Sequence, residues 1–306
     1  MTGYDALRES AAWMDLSSRG KIRLTGEDRA RLLHAMTTNQ IQALTPGEGC
    51  YTFFLNAQGR ILADSNVLCQ AEAILLDTEP ETRERVFQHL DQFIIADDVT
   101  LEDTTVELAT IAVEGPQAAA ALHGLGAPLP EVEQSWHAWG DRIVLRAATT
   151  GPSGWLMFVP EAGKQALIDS LGGLPQAGYE AARAVRIENG KPRYGEEITE
   201  RFLLQETGQM RAVNFSKGCY LGQEIVERVR SRGQVHRHLR AIQIDGQTVP
   251  PIGSKLTAEG KDLGEVVSAA FSPALNKIVA MAYIRTDAAR PGFALHWGDS
   301  SVLVGD

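Results

Sequence analysis

One segment of the chain combines a cysteine with the surroundings that activate a thiol. Residues 217–224 read Lys-Gly-Cys-Tyr-Leu-Gly-Gln-Glu, and a run of helix-forming residues follows at once. The positive end of a helix dipole favours a thiolate, and the ammonium of Lys217 adds to that effect if the two side chains converge. A small buried cysteine is the alternative. The flanking glycines and polar neighbours favour a reactive thiolate at Cys219.

The other two cysteines carry no comparable signal. Cys50 and Cys69 lie at or near predicted strands among apolar neighbours, so we expect them to be buried. Three scattered cysteines are too few for a disulfide framework or a four-ligand zinc site. We therefore predict no metal site.

A basic stripe follows the cysteine loop in a chain whose formal net charge is -10. A solvated helix face is one explanation, and docking of a ligand rich in carboxylates or phosphates is the other. An RNA-binding surface is a third reading, but the overall negative charge repels nucleic acid, so we expect none to bind directly. The stripe consists of Arg228, Arg230, Arg232, His236, Arg237, His238 and Arg240.

The bulk composition is that of a folded protein with more than one core. At 306 residues, with 44% hydrophobic and 22% charged residues, the chain is long enough for two or three subdomains. It contains no apolar run long enough to span a membrane and no basic-then-apolar start, so we predict a cytoplasmic protein. The motifs GxxxxGK[ST], GxGxxG, HExxH and GxSxG are absent, which leaves nucleotide hydrolysis, hydride transfer and serine hydrolysis without support.

Short strands and helices alternate without strict order over most of the chain, which predicts an α+β fold. Residues 50–55 and 60–68 form a predicted hairpin, which places Asp64 on the returning strand. Glycine and proline interrupt residues 245–253, and only short strands follow, as in a small β-barrel. We divide the chain into residues 1–240 and a barrel of residues 241–306.

Residues 217–224 match the K-G-C-[FY]-x-G-Q-E signature, so the chain resembles the YgfZ-type folate-binding proteins, relatives of the glycine-cleavage T-protein (aminomethyltransferase). Four further segments resemble motifs of that superfamily in the same order along the chain. They are Leu55–Asp64 of the hairpin, Ile111–Pro116, Arg186–Gly190 with Tyr194-Gly195, and Gly264–Tyr283 near the end. The resemblance thus covers most of the chain.

The resemblance implies two ferredoxin-like α+β subdomains and a C-terminal β-barrel, arranged as a ring around a tetrahydrofolate pocket. It implies that Glu188 pairs with the pterin, that Tyr51 stacks on or borders the ring, and that Asp64 lies near the folate nitrogens, where it can hold or relay a proton. It also implies that the basic stripe receives the glutamate tail of folate. The expected catalytic residues are Cys219, Lys217 and Asp64, and the expected folate-binding residues are Tyr51, Asp64, Glu188, Tyr194, Gln223, Glu224 and Arg228.

Two departures from the T-protein bear on function. The adjacent acidic pair of that enzyme is Ala63-Asp64 here, and its Phe-x-Gly-Trp segment is absent. The cysteine loop, which T-proteins lack, marks family members implied to support assembly or repair of iron-sulfur clusters, including those of tRNA-modifying enzymes. We therefore predict a folate-binding accessory protein with iron-sulfur client proteins as partners. The alternative is a folate-dependent aminomethyltransferase.

Overall fold

The computed structural model describes residues 2–233 and 235–305. The α-helices are α1 (Gly3–Glu9), α2 (Arg29–Met36), α3 (Arg83–Asp91), α4 (Ala118–Gly124), α5 (Lys164–Ser170), α6 (Tyr179–Glu188) and α7 (Gln223–Arg232). The strands are β1 (Ala12–Asp15), β2 (Gly20–Thr25), β3 (Gly49–Leu55), β4 (Ile61–Cys69), β5 (Ile74–Thr78), β6 (Thr100–Asp103), β7 (Leu108–Glu114), β8 (Trp136–Trp139), β9 (Arg142–Leu145), β10 (Gly154–Pro160), β11 (Arg237–Ile244), β12 (Lys255–Ala258), β13 (Lys261–Ser272), β14 (Lys277–Arg285), β15 (Ala294–Trp297) and β16 (Ser300–Val304).

The first sheet contains the predicted hairpin. Its strand order is β3-β4-β5-β2-β6, and every neighbouring pair is antiparallel. Gly59, with φ of 69°, makes the turn between β3 and β4. The register pairs Tyr51 with Asn66 and Phe53 with Asp64. The hairpin therefore brings a tyrosine, an aspartate and an asparagine into one small region of the sheet.

The second sheet has the order β1-β7-β10-β9-β8 and is also antiparallel. Its central strand β10 is buried along almost its whole length, which explains why it reads as a continuous apolar run. Ala118 and Leu122 of α4 and Leu167 of α5 pack with one face of the sheet. Helices likewise cover one face of the first sheet, where Leu33 and Val86 belong to the shared core.

The two uncovered sheet faces meet each other. Leu68 and Leu75 of the first sheet belong to one core cluster with Leu145 and Leu156 of the second. Tyr4 and Leu7 of α1 join the same cluster, as does Val185 of α6. The space between the sheets is therefore closed by apolar packing on one side, and the polar residues described below line the remainder.

A closed six-stranded barrel forms the last part of the chain, with the order β11-β14-β13-β12-β15-β16 and antiparallel pairing. Helix α6 packs against β13 and β14 on its outside. The predicted α+β fold with a C-terminal barrel is confirmed. The first barrel strand, β11, spans residue 240, and the division into 1–240 and 241–306 stays a prediction.

No helix in the described part of the chain is both long and apolar enough to span a membrane.

Candidate functional site

A cavity of about 290 Å³ opens between the two sheets. Side chains of both sheets form its walls, and the segment that follows α6 completes them. This size lies at the lower end of the roughly 300–1,000 Å³ that small-molecule sites occupy. Its charged and amide-bearing lining residues are Asp15, Arg19, Asp64, Asn66, Glu79, Glu133, Gln134, Arg183, Arg186, Lys191, Arg193, Glu196 and Arg211.

Asp64 and Tyr51 meet at one wall of this cavity. The Tyr51 hydroxyl donates a 2.7 Å hydrogen bond to Asp64 Oδ2. Asp64 is 6% exposed, and its other oxygen, Oδ1, is buried without a hydrogen-bond partner among the described residues. A buried carboxylate oxygen without a partner is costly, so it marks a place where a ligand donor fits.

The surroundings of Asp64 shift its protonation. Burial, and then the negative charge of Glu79, raise the pKa of Asp64 to about 6, while the Tyr51 hydrogen bond and nearby arginines act in the opposite direction. Burial and the charge of Asp64 raise the pKa of Tyr51 well above its usual value, so Tyr51 stays a donor. A carboxyl group that titrates near neutral pH is suited to general acid-base chemistry.

An ion-pair network lies behind Asp64. The Arg19 guanidinium donates to both oxygens of Asp77 at 2.8 and 2.9 Å and also pairs with Glu79. Arg193 bridges from Glu79 at 2.9 Å to the more exposed Glu81 at 2.6 Å. Each buried carboxylate of this network is therefore neutralised by a guanidinium, which fixes the wall of the cavity.

A second group of charges lies on α6 and the loop after it. Arg183 pairs with Glu196 at 2.9 Å, and Arg186 pairs with the fully buried Glu197 at 2.8 Å. Burial lowers the pKa of Lys191, whose Nζ donates to the carbonyl of Gly151. Both arginines of this wall are therefore paired with carboxylates, and Lys191 is bonded to a backbone carbonyl.

Arg211 approaches the cavity from the segment before the cysteine loop. Its guanidinium lies 4.6 Å from the centre of the Tyr51 ring and pairs with Glu133. The sequence prediction did not include Arg211, Arg193, Lys191 or Gln134, because none of them occupies a position that a motif specifies. The Tyr51 and Asp64 positions could be predicted because they lie on a recognisable hairpin.

Lys217 of the predicted site is a structural cation. It is 6% exposed, and its Nζ donates to the carbonyls of His34, Thr37 and Asn39 within 2.8 Å. These carbonyls lie at and beyond the end of α2, where helix carbonyls lack partners and the dipole favours a cation. Burial lowers the pKa of Lys217 to about 8. All three donors of Lys217 are used, and none of them contacts Cys219.

The other predicted residues of the loop and of α7 are exposed or half-buried. Cys219 is exposed, and no hydrogen bond to its sulfur is found among the described residues. The side-chain oxygen of Gln223, Oε1, accepts from the backbone amide of Tyr220 at 3.3 Å, so Gln223 closes the turn before α7. Glu224 and Arg228 pair with each other in exposed positions. None of the four predicted residues lines the central cavity; they are Cys219, Gln223, Glu224 and Arg228.

Two further predicted residues also lie outside the cavity lining. The Glu188 carboxylate accepts from the Tyr4 hydroxyl and pairs with Arg8 at 2.9 Å, which ties α6 to α1. The Tyr194 hydroxyl contacts Arg85 at 3.1 Å and the Ile61 carbonyl at 3.3 Å within a buried cluster. Of the predicted set, only Tyr51 and Asp64 line the central cavity.

The basic stripe is divided mainly between α7 and β11, and most of its arginines have partners. Arg230 lies 4.4 Å from the Phe215 ring and Arg237 pairs with Glu206 at 2.7 Å. Arg240 donates to the carbonyl of Ala289. The described residues contain no group of three His, Cys, Asp or Glu side chains arranged to hold a metal ion.

Two family models match the chain. A model of the GCVT N-terminal domain covers residues 2–217, and a model of the glycine cleavage T-protein C-terminal barrel domain covers residues 237–297. The chain belongs to the glycine cleavage T-protein family. An aminomethyltransferase of this kind from Rippkaea orientalis is 30% identical over 312 residues, which cover 95% of this chain and 83% of the relative.

Other family members extend the comparison. A chloroplastic protein of Arabidopsis thaliana that is named as a transferase is 28% identical to this chain. The match covers 96% of this chain and 70% of the relative. Its location leaves the cytoplasmic prediction for this chain untested. The crystal structure of glycine cleavage system aminomethyltransferase T from Bartonella henselae matches with a TM-score of 0.90 at 21% identity, over 99% of this chain and 87% of that one. This likeness confirms the predicted fold.

Proposed function

We propose that this chain binds tetrahydrofolate in the central cavity and acts as a YgfZ-type accessory factor in the assembly or repair of iron-sulfur proteins, including tRNA-modifying enzymes. The observation that carries the folate proposal is the buried, unpartnered Oδ1 of Asp64 beside Tyr51. The relatives named as aminomethyltransferases support the same ligand class, because that chemistry uses a folate carrier.

The residues of the cavity fit a reduced folate. A tetrahydropterin ring presents several N–H donors, and Asp64 offers an oxygen that lacks a donor. Tyr51 provides an aromatic edge next to that carboxylate. Arg211 and Lys191 supply positive charge at the cavity for a ligand with a carboxylate tail.

Bound tetrahydrofolate would supply the nitrogens that carry a one-carbon unit. Asp64 would hold a proton at its carboxyl group, since its pKa of about 6 allows both protonation states near neutral pH. The Tyr51 hydroxyl would fix Oδ2, which leaves Oδ1 directed to the ligand. Arg19 and Arg193 would keep Glu79 in place next to Asp64.

The accessory role depends on the cysteine loop. Cys219 is exposed, so its thiol is open to a sulfur, a metal ion or a client protein. Lys217 supports the loop by holding it to the end of α2. The loop is thus a firmly anchored surface element that carries one accessible thiol.

The second candidate function is aminomethyl transfer. It is favoured by the relatives that carry this name and by the titration of Asp64 near neutral pH. Formation of methylene-tetrahydrofolate from an aminomethyl-lipoyl carrier would establish this function. Binding without turnover would leave the accessory role.

The folate proposal is tested by titrating the protein with tetrahydrofolate under anaerobic conditions, with titration calorimetry as the readout. We expect saturable binding at one site. An absence of binding would refute both candidate functions.

The accessory role is tested separately with an iron-sulfur enzyme that is inactivated by oxidant and then repaired. We expect the wild-type protein with tetrahydrofolate to speed recovery of the enzyme, and the Cys219→Ser variant to fail. Equal recovery with the two proteins would remove Cys219 from the mechanism.

A further inference from the structure

Gln134 is a buried amide held in an unusual backbone conformation at the cavity wall. It is 9% exposed, and its φ of 65° lies in the left-handed region that residues other than glycine rarely adopt. Its backbone amide donates to the carbonyl of Arg146, which anchors the strained residue. Strained backbone of this kind persists where the surroundings enforce it and is concentrated at ligand sites.

The side-chain oxygen of Gln134 has no partner. Oε1 is buried, and no described residue donates a hydrogen bond to it. Gln134 lines the same cavity as Asp64, whose Oδ1 is the other unpartnered oxygen of that lining. Two residues that line one cavity therefore each carry a buried acceptor without a donor among the described residues, which is the pattern that a donor-bearing ligand satisfies.

A hydrogen-bond chain fixes which end of the Gln134 amide faces the cavity. Asp77 is held by the Arg19 guanidinium, so it acts as an acceptor, and Asn66 must turn its NH2 group to Asp77 Oδ2 at 2.8 Å. The Asn66 oxygen then accepts from Gln134 Nε2 at 3.1 Å. The remaining atom, Gln134 Oε1, is left as the acceptor. The orientation of the Gln134 amide therefore follows from the charge of Arg19, at the other end of this series of hydrogen bonds.

We infer that Gln134 is a specificity-determining residue, which presents a fixed, neutral acceptor to an N–H or amino group of the ligand in the cavity. This inference rests on the proposed folate function. It adds a residue that accepts a hydrogen bond from an N–H or amino group of the pterin. Rotating the Gln134 amide would place its oxygen against the Asn66 oxygen, and rotating both amides would place the Asn66 oxygen against the Asp77 carboxylate. A ligand with an acceptor at this position is therefore rejected.

The direct test compares tetrahydrofolate affinity in wild type, Gln134→Met and Gln134→Asn. Methionine has nearly the same length as glutamine but no oxygen acceptor. Asparagine tolerates the left-handed conformation and withdraws the oxygen by one methylene group. We expect both variants to bind roughly tenfold to a hundredfold more weakly, as for loss of a hydrogen bond to a buried group. Gln165→Met, at an exposed position of α5, is the matched control and should bind like wild type.

The fixed orientation is tested with Asn66→Ala, alone and combined with Gln134→Met. Because Asn66 orients the Gln134 amide, the two losses in affinity should be less than additive. Thermal unfolding of each variant separates folding defects from binding defects, and Gln134→Asn remains informative if Gln134→Met does not fold.

Two results have different meanings. Wild-type protein that fails to bind tetrahydrofolate refutes the proposed function, and with it this inference. Wild-type protein that binds, together with Gln134 variants of unchanged affinity, refutes the role of Gln134 alone.

Discussion

Lys217 in the loop of residues 217–224 and two residues of the central cavity are buried polar groups, but their hydrogen bonding differs. The loop also holds the buried hydroxyl of Tyr220, which has no partner among the described residues. In the loop, Lys217 directs all three donors to backbone carbonyls. In the cavity, Asp64 and Gln134 each keep one oxygen without a donor. A buried group whose bonds are complete holds the fold together, and a buried group with an open bond is available to a ligand. On the proposed function, the loop therefore contributes structure and an exposed thiol, and the cavity contributes recognition.

The largest expected difference concerns the cysteines. Cys219 is exposed, whereas burial raises the pKa of Cys50 to about 12. Because the thiolate is the reactive form, alkylation of the native protein near neutral pH should modify Cys219 at least about a hundredfold faster than Cys50. Peptide mapping by mass spectrometry measures the two rates, and unfolded protein is the control. Comparable rates in the native state would contradict the exposed position of the loop thiol.

The next effect is on stability. Lys217→Met leaves three carbonyls at the end of α2 without their donor, so we expect the free energy of unfolding to fall by about 3 kcal/mol. Urea denaturation measures this free energy of unfolding. Lys261→Met, at an exposed position of β13, should change it by less than about 0.5 kcal/mol. If the two variants unfold at the same urea concentration, Lys217 is not the structural cation described above.

Asp64 should make stability depend on pH in the acid range. Its folded pKa of about 6 exceeds the ordinary value of 3.8, so the folded state binds more protons between these values. The free energy of unfolding therefore falls as pH rises through this window. Asp64→Asn lacks this titration, and its stability relative to wild type should grow by roughly 2 kcal/mol from about pH 4 to about pH 7.

The control for this measurement is Asp141→Asn, since the Asp141 side chain is 73% exposed. Its stability relative to wild type should stay constant over the same range. A constant difference for Asp64→Asn as well would show that Asp64 is not a buried titrating group.

The smallest expected effect is at the exposed pair of α7. Arg228→Ala removes an i, i+4 ion pair with Glu224, which should cost less than about 0.5 kcal/mol. Tetrahydrofolate affinity should not change. A loss of affinity beyond about tenfold would make α7 part of the ligand site and would weaken the distinction between loop and cavity.

Much of the fold could be predicted because it depends on local patterns. The β3-β4 hairpin follows from two runs rich in apolar residues on either side of a glycine turn, and β14 follows from its apolar run. Strands β1 and β8 were not predicted. They are four residues long, and the pairing of β1 with β7 joins residues about one hundred positions apart. Such pairing is determined by tertiary contacts and leaves little local signal.

The candidate site could be predicted only in part for the same reason. Motifs mark Asp64, Lys217 and Cys219 as unusual but do not show which bonds each side chain completes. The roles of Lys217 and Glu188 depend on partners more than 180 positions away in sequence, the carbonyl of His34 and the hydroxyl of Tyr4. Gln134 carries no motif, and only its unpartnered oxygen and its backbone conformation distinguish it.

The most direct test of the distinction between cavity and loop is the tetrahydrofolate affinity of Asp64→Leu and Cys219→Ser, measured side by side with wild type by anaerobic titration calorimetry. Leucine matches aspartate in branching but offers no acceptor. We predict that Cys219→Ser binds like wild type and that Asp64→Leu binds at least about tenfold more weakly. Equal affinity of Asp64→Leu and wild type, or a loss confined to Cys219→Ser, would contradict recognition by the cavity.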